Sequence, residues 1–297
     1  MRALIIRPSA LGDTLLLAPA LYQIADKVTV SLLGRKPGVD FLKPFLLDCF
    51  DYEKGGWHTL FFEQPHCNDL SLPDVDRVIC FLSDPSGRLK KGLRKCLKHT
   101  SIFSFPPFPQ REEKIHVAAY LASCLNKSGL PINPDETIDE ARKRSLFIKG
   151  KPSKSESTIV LHPGSGSKKK NYSPEFWLNL IRNKDRGIPH KWILLLGPAE
   201  EKWDQIISKE LSEIEIEIIH SPHKDRLVSL LKKASLYIGH DSGITHLAAM
   251  LGTRTICLFK NSDPLQWAPL GPDVTIITYN TPLQGIYKKI KEKLTKI

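Results

Sequence analysis

The chain is predicted to be an α/β protein of two Rossmann-like domains, each built on a parallel sheet. Three observations predict this. Short β-branched and leucine-rich runs alternate with longer amphipathic stretches from end to end, the pattern of parallel sheets flanked by helices. At 297 residues the chain is about twice the usual domain length. A polar stretch bearing Pro and Ser, KGKPSKSES at 149–157, interrupts the pattern, and strands restart directly after it. The expected division is residues 1–152, residues 153–280 and a terminal helix over 281–297, with the two sheets facing one cleft.

In chain order, the expected strands are 3–6 (ALII), 28–33 (VTVSLL), 78–82 (VICFL), 158–161 (TIVL), 192–196 (WILLL), 214–219 (IEIEII), 236–238 (LYI) and 255–259 (TICLF). Most are nearly continuous apolar runs, as strands covered on both faces require. Helical spacing of apolar residues marks 14–25, 115–126, 174–183, 202–211, 227–233 and 244–251. Residues 100–111, TSIFSFPPFPQR, are too irregular for an element and read as an ordered loop. The tail 283–297 reads as a basic amphipathic helix with Ile286, Ile290, Leu294 and Ile297 on one face. No tandem repeat is present.

The N-terminus mimics a signal peptide, with Arg2, an apolar stretch and Ala18-Pro19-Ala20. Arg7 and Asp13 interrupt the apolar run, so a buried strand followed by a helix is the better reading. No apolar run approaches the length that spans a bilayer. The six cysteines, Cys49, Cys67, Cys80, Cys96, Cys124 and Cys257, form no CxxC pair and no cluster with histidine. A disulfide scaffold and a zinc site are therefore not expected, and reduced thiols in the cytoplasm are.

The formal net charge of +11 favours an anionic partner. The excess is shared, with 21 Lys/Arg against 17 Asp/Glu in residues 1–150 and 22 against 15 in the remainder. No zinc finger, RNP aromatic motif or basic zipper accompanies it, so nucleic acid is not the expected partner.

Four strand-to-helix junctions carry unusual residues, and open parallel sheets bind ligands at the carboxyl ends of their strands. The first is RPSALGDT, residues 7–14. It lacks GxGxxG, and Asp13 is either a helix N-cap or a general base for an acceptor hydroxyl. The second is HPGSGSKKKNYSP, residues 162–174. Small residues at Ser165 and Gly166 let backbone amides approach an oxyanion, and the lysines ending at Lys170 add charge. A solvated lysine loop is the alternative, with Ser173 and Pro174 opening the next helix. The third is GPAEE, residues 197–201, where Glu200 is placed either to accept from a ribose or to offset a helix dipole. The fourth is GHDSGITH, residues 239–246. Its Asp, Ser and His do not form the GxSxG elbow of a hydrolase. His240, Asp241 and His246 could bind metal by residue type. A helix N-terminus at Asp241, Ser242 and Gly243 offering amides to a diphosphate is the stronger reading.

Two further features need a reading. Asp74-Val75-Asp76 has DxD spacing but precedes a strand instead of following one, so it reads as a turn, and no metal ligand is assigned. The run RLKKGLRKCLKH, residues 88–99, places Leu89, Leu93 and Leu97 on one helical face and turns its cations outward. It is either a solvated face or, through Arg88, Lys91, Arg94 and Lys95, a surface for an anionic acceptor.

Taken together, GDTLLLAP at 12–19, HPGSGS with Lys170 and Tyr172, LLGPAE at 195–200, and GHDSGITHLAA through DPLQWAPLGP resemble the ADP-heptose:lipopolysaccharide heptosyltransferases, glycosyltransferase family 9. The resemblance runs from end to end and implies a GT-B fold. It implies that Asp13 is the catalytic base, that Lys170 holds the donor phosphates with Ser165 and Gly166 beside it, and that Glu200 holds the ribose. Asp241, Ser242, Gly243 and His246 would hold the diphosphate and sugar. It further implies inversion by direct displacement, an ADP-heptose-like donor, no required cofactor, and an anionic glycolipid acceptor of the lipopolysaccharide inner core. The location implied is cytoplasmic, with peripheral contact at the inner membrane. Two departures stand out. The family's Lys-x-Trp-Pro is Lys170-Asn171-Tyr172-Ser173 here, and its small glycine-containing turn after the last strand is Phe259-Lys260-Asn261. A nucleotide-sugar epimerase of the same architecture, or a family 9 transferase with another donor or acceptor, is the alternative.

Overall fold

A computed structural model of the chain describes residues 1–147, 157–183, 190–200, 203, 210 and 216–295. The chain forms two compact units, Met1–Glu140 and Ala141–Ile297. The expected boundary at 152/153 lies outside the described residues.

The first unit is a parallel sheet of β1 (Arg2–Arg7), β2 (Thr29–Gly34), β3 (Asp48–Asp51), β4 (Arg77–Phe81) and β5 (Ser101–Phe105), in the order β3-β2-β1-β4-β5. Central β1 is buried from Ala3 to Arg7, which explains its unbroken apolar run. The sequence reading of 100–111 as irregular is corrected at its start. Residues 101–105 pair with β4, Phe105 opposite Phe81, and the prolines begin only after the strand, where a missing N–H costs the ladder nothing. The short strand β3, DCFD, was also not anticipated, being an edge strand with little apolar pattern to read.

The helix expected over 14–25 is two helices, Leu11–Leu15 and Ala18–Ile24. Pro19 sits in the first turn of the second, and its missing N–H cannot continue the first. The helix Arg88–Cys96 forms as expected, with Leu89, Gly92 and Leu93 buried. Gly92 is required there, because a Cβ would fall 2.0 Å from the carbonyl oxygen of Leu60. The cysteine reading is corrected in part. Cys67 and Cys96 form a disulfide, their Cα atoms 5.1 Å apart, because the turn Cys67–Asp69 lies against the end of that helix. Cys49, Cys80, Cys124 and Cys257 are free.

The second unit is a parallel sheet of β6 (Thr158–His162), β7 (Lys191–Leu196), β8 (Glu217–His220), β9 (Leu236–His240), β10 (Thr255–Phe259) and β11 (Val274–Thr278), in the order β11-β10-β9-β6-β7-β8. Most of the helix expected over 202–211 and the start of the strand expected at 214 lie outside the described residues. The tail helix Leu283–Leu294 belongs to this unit, with Ile286 and Ile290 buried in the cluster around Trp177, Ile181, Leu194 and Ile238.

The strand order positions the ligand site. From β6 the chain winds outward through β7 and β8, then returns to β9 on the other side of β6 and winds outward again. Loops leaving the carboxyl ends of β6 and β9 therefore diverge and open a crevice, the switch point of a doubly wound sheet. In the first unit the corresponding point lies between β1 and β4. Among the described residues no helix is long and apolar enough to cross a membrane.

Candidate functional site

In the first unit, β1 ends at Arg7 and the helix Leu11–Leu15 follows, with Ala10 in extended conformation at its N-cap position. Asp13 is thus the third helical residue, which removes the N-cap alternative. Beneath it lies Arg7, which has no solvent exposure. Its Nε donates to the carbonyl of Asp13 at 3.1 Å and its Nη1 to the carbonyl of Pro107 at 2.8 Å. The guanidinium also lies 5.6 Å from the ring of Phe81 and 5.2 Å from that of Phe108. Burial lowers its pKa to about 10, opposed first by the charge of Asp13, so it is a cation at neutral pH. The attraction is mutual, and Asp13 sits in the field of a fixed positive charge. Sequence reasoning saw Arg7 only as a break in an apolar run. An arginine at the last position of a central strand was the available signal.

In the second unit, the loop after β6 and the turn after β7 are fitted to each other. A Cβ at Gly164 would stand 2.1 Å from Oε1 of Glu200, so only glycine lets this carboxylate lie against the loop. Glu200 is buried, and its Oε2 accepts from the Gly197 N–H at 2.8 Å. Burial raises its pKa, and the Gly197 N–H opposes the rise. Ser165 Oγ lies 2.5 Å from Oδ1 of Asn171, closing the loop on itself. Gly166 is exposed, with open space where a side chain would be.

Of the three consecutive lysines, Lys168 and Lys169 are exposed. Lys170 turns inward, and its Nζ is 2.6 Å from Oδ2 of Asp241, at the end of β9. Asp241 is 4% exposed, and His246 Nε2 lies 3.7 Å from its other oxygen. Burial by itself would raise the pKa of Asp241. His246 and Lys170 outweigh it and hold the carboxyl well below the usual range. Ser242 caps the helix Gly243–Met250, accepting from the Thr245 N–H. A diphosphate entering here would compete with Asp241 for Lys170 and meet the amides of a helix N-terminus.

Sequence reasoning left His240 open as a metal ligand. Its Nε2 accepts the Tyr172 N–H at 2.8 Å, and its ring stacks on Tyr172 and lies nearly perpendicular to that of Trp177. Burial, then the neighbouring His162, lowers its pKa to about 3, and burial lowers that of His162 to about 4. His240 is therefore a neutral strut under the loop. Among the described residues no three His, Cys, Asp or Glu side chains cluster as a metal site. Asp74 pairs with the Arg2 side chain at 2.7 Å and Asp76 accepts the Arg2 N–H at 2.8 Å, which accounts for the DxD spacing structurally.

Ser165, Gly166, Lys170, Glu200, Asp241, Ser242, Gly243 and His246 thus all lie at the carboxyl ends of β6, β7 and β9. Asp13 and the exposed cations Arg88, Lys91, Arg94 and Lys95 belong to the first unit. Two doubly wound parallel-sheet units of this kind are those of the GT-B architecture. The family model described as Glycosyltransferase family 9 (heptosyltransferase) matches residues 86–295, and the chain belongs to that family.

A lipopolysaccharide heptosyltransferase 1 of Campylobacter coli is 30% identical over 127 residues, which span 41% of this chain and 37% of that relative. The E. coli heptosyltransferase WaaC, solved with ADP, superposes with a TM-score of 0.71 at 16% identity, covering 99% of this chain and 100% of that one. The E. coli ADP-heptose lipopolysaccharide heptosyltransferase II superposes with a TM-score of 0.68 at 15% identity, covering 100% and 99%.

Proposed function

We propose that the protein is an inverting glycosyltransferase that moves a heptose or related sugar from an ADP-sugar to an anionic acceptor of the lipopolysaccharide inner core. The observation that carries this reading is the Lys170–Asp241 pair at 2.6 Å, set at a switch point beside a capped helix N-terminus and the buried Glu200. It supplies what a nucleoside diphosphate leaving group needs, a cation and fixed dipoles where negative charge develops. The ADP in the WaaC structure and the lipopolysaccharide in the Campylobacter relative's name favour the particular donor and acceptor.

In the reaction, an acceptor hydroxyl oxygen bonds to the anomeric carbon as the bond to the diphosphate oxygen breaks. Asp13 takes the hydroxyl proton, and the electron pair leaves with the nucleotide diphosphate. Lys170 and the amides before the helix Gly243–Met250 stabilise that charge, and Glu200 accepts from the ribose hydroxyls. Oxocarbenium-like charge on the sugar accompanies the displacement, as in glycoside hydrolysis. A cytoplasmic location goes with such a donor.

Thermal shift with a panel of nucleotides and nucleotide-sugars tests the donor, because a ligand that binds only the native state stabilises it by mass action. ADP and an ADP-sugar should raise the melting temperature and UDP-sugars should not. Transfer should persist in EDTA, since lysine and helix dipole carry the leaving-group charge. Loss of transfer in EDTA with recovery in magnesium would overturn the metal-free reading. Sugar turnover without acceptor would favour the epimerase.

The acceptor reading rests on the first unit. The exposed cations Arg88, Lys91, Arg94 and Lys95 lie on a helix held against the turn Trp57–Phe61, which borders a cavity of about 420 Å³ lined by His58, Thr59, Phe62 and His66. Peripheral contact with an anionic membrane fits such a face, at about 1 kcal/mol per basic residue near the surface. Reversing Lys91, Arg94 and Lys95 to Glu should abolish binding to anionic vesicles and raise the Michaelis constant for acceptor, with ADP affinity unchanged. Unaltered vesicle binding at low salt would make this helix a solvated face.

A further inference from the structure

Lys260 is the first residue after β10, is exposed, and takes no part in the site as built above. Its Nζ nevertheless reaches back across the ends of the strands to donate to the backbone carbonyl of Asn171 at 2.9 Å, and lies 5.8 Å from the centre of the Tyr172 ring. Asn171 directly follows Lys170, and its side-chain oxygen lies 2.5 Å from Ser165 Oγ. Tyr172 in turn donates its N–H to His240. The loop from Ser165 to Tyr172 is therefore held by Ser165 to itself, by Asp241 on Lys170 and His240 on Tyr172 at the end of β9, and by Lys260 on Asn171 at the end of β10.

We propose that Lys260 is a positioning residue of the donor site, an external clamp that fixes Asn171 and through it the direction in which Lys170 presents its ammonium. The inference rests on the donor-site reading above and adds a residue to it. An exposed lysine holding one backbone carbonyl contributes little to global stability, because water solvates both groups almost as well. Its effect is local. Without the clamp, the Asn171–Tyr172 peptide keeps the His240 bond to its N–H but loses the one on its carbonyl, and the entropy of ordering it more tightly is then charged to nucleotide binding. Lys260 also adds to the positive field that, after burial itself and His162, keeps His240 neutral. His240 can then accept the Tyr172 N–H, so the clamp and the strut support the same loop.

The test uses the full chain, with ADP as the probe in titration calorimetry and hydrogen exchange of the Ser165–Tyr172 amides as a readout that needs no ligand. In K260A the Tyr172 amide should exchange faster and the melting temperature should hold. ADP affinity should fall about three- to tenfold, the scale of one net hydrogen bond, and K260R should restore both. In a K170A background, K260A should weaken ADP by less than twofold, because the residue it positions is gone. ADP affinity in K260A within twofold of the parent overturns the clamp, as does an equal loss with and without Lys170, which marks an independent contact. Failure of the parent to bind ADP would instead strike at the donor reading. The exchange of Tyr172 would still decide whether Lys260 orders the loop.

Discussion

Asp13→Asn is expected to lower turnover by about 10²-fold or more, the range of general-base catalysis. The substitution keeps the shape of the side chain and removes only its ability to take a proton. The backbone there is independently fixed, since Arg7 holds the Asp13 carbonyl at 3.1 Å and the helix begins at Leu11 without a side-chain cap. Folding should therefore be unchanged. ADP affinity should be unchanged too, because every residue proposed to hold the donor belongs to the second unit. The comparison to make is turnover at saturating donor and acceptor beside ADP affinity by calorimetry. Near-native turnover would reduce Asp13 to a residue of the first helical turn. A matching loss of ADP affinity would place it in the donor site.

The second large effect is on acid stability. His162 and His240 are neutral in the fold, with values near 4 and near 3 against 6.5 in the unfolded chain. Between these limits the unfolded state binds protons that the native state refuses, so stability rises with pH through the window. It is fully present above about pH 6.5 and drains away as pH falls toward 4 and then 3. The loss should reach on the order of 5 kcal/mol by about pH 4.5, comparable with the whole stability of many domains. Asp241, held low by His246 and Lys170, adds a loss of the same sign at still lower pH. Four of the five tryptophans, Trp177, Trp192, Trp203 and Trp267, lie in the second unit, and Trp57 lies in the first, so denaturation followed by tryptophan fluorescence reports mainly on the second unit. The urea midpoint should drop sharply between pH 7 and pH 4.5, and His240→Gln should roughly halve the drop. An unchanged midpoint in the parent would mean that these imidazoles are not buried neutral.

The strand ends where the candidate donor residues stand are legible in the sequence, and particular residues show why. Lys170 was separable from Lys168 and Lys169 by motif position, and only Lys170 turns inward. Glu200 and Ser242 follow strands whose apolar runs announce them, and residues at the ends of parallel strands share one edge whatever the strand order. Asp13 was placed correctly beyond the first strand. What remained open was its role, because a carboxylate near a helix start is common to a cap and to a base.

Other features had no local signal. Strands β3 and β5 are edge strands with weak alternation, recognisable only once their neighbours are in place. Cys67 and Cys96 are 29 residues apart, and nothing in that spacing says that a turn and a helix end will meet.

Local chemistry in this sequence determined the class of fold, the strand ends that carry chemistry, and most of the residues standing there. Apolar periodicity and turn composition are properties of a few neighbouring residues, and they survive in any arrangement of the elements. The tertiary structure alone decided the partnerships: Lys170 with Asp241 across 71 positions, Lys260 with Asn171 across 89, and Arg7 with Pro107 across 100. Each depends on which strands lie side by side, and the order β9-β6 that brings Asp241 to Lys170 is set by how the whole sheet buries its two faces. The burial that makes Arg7 a buried cation and His240 a neutral strut belongs to that same packing.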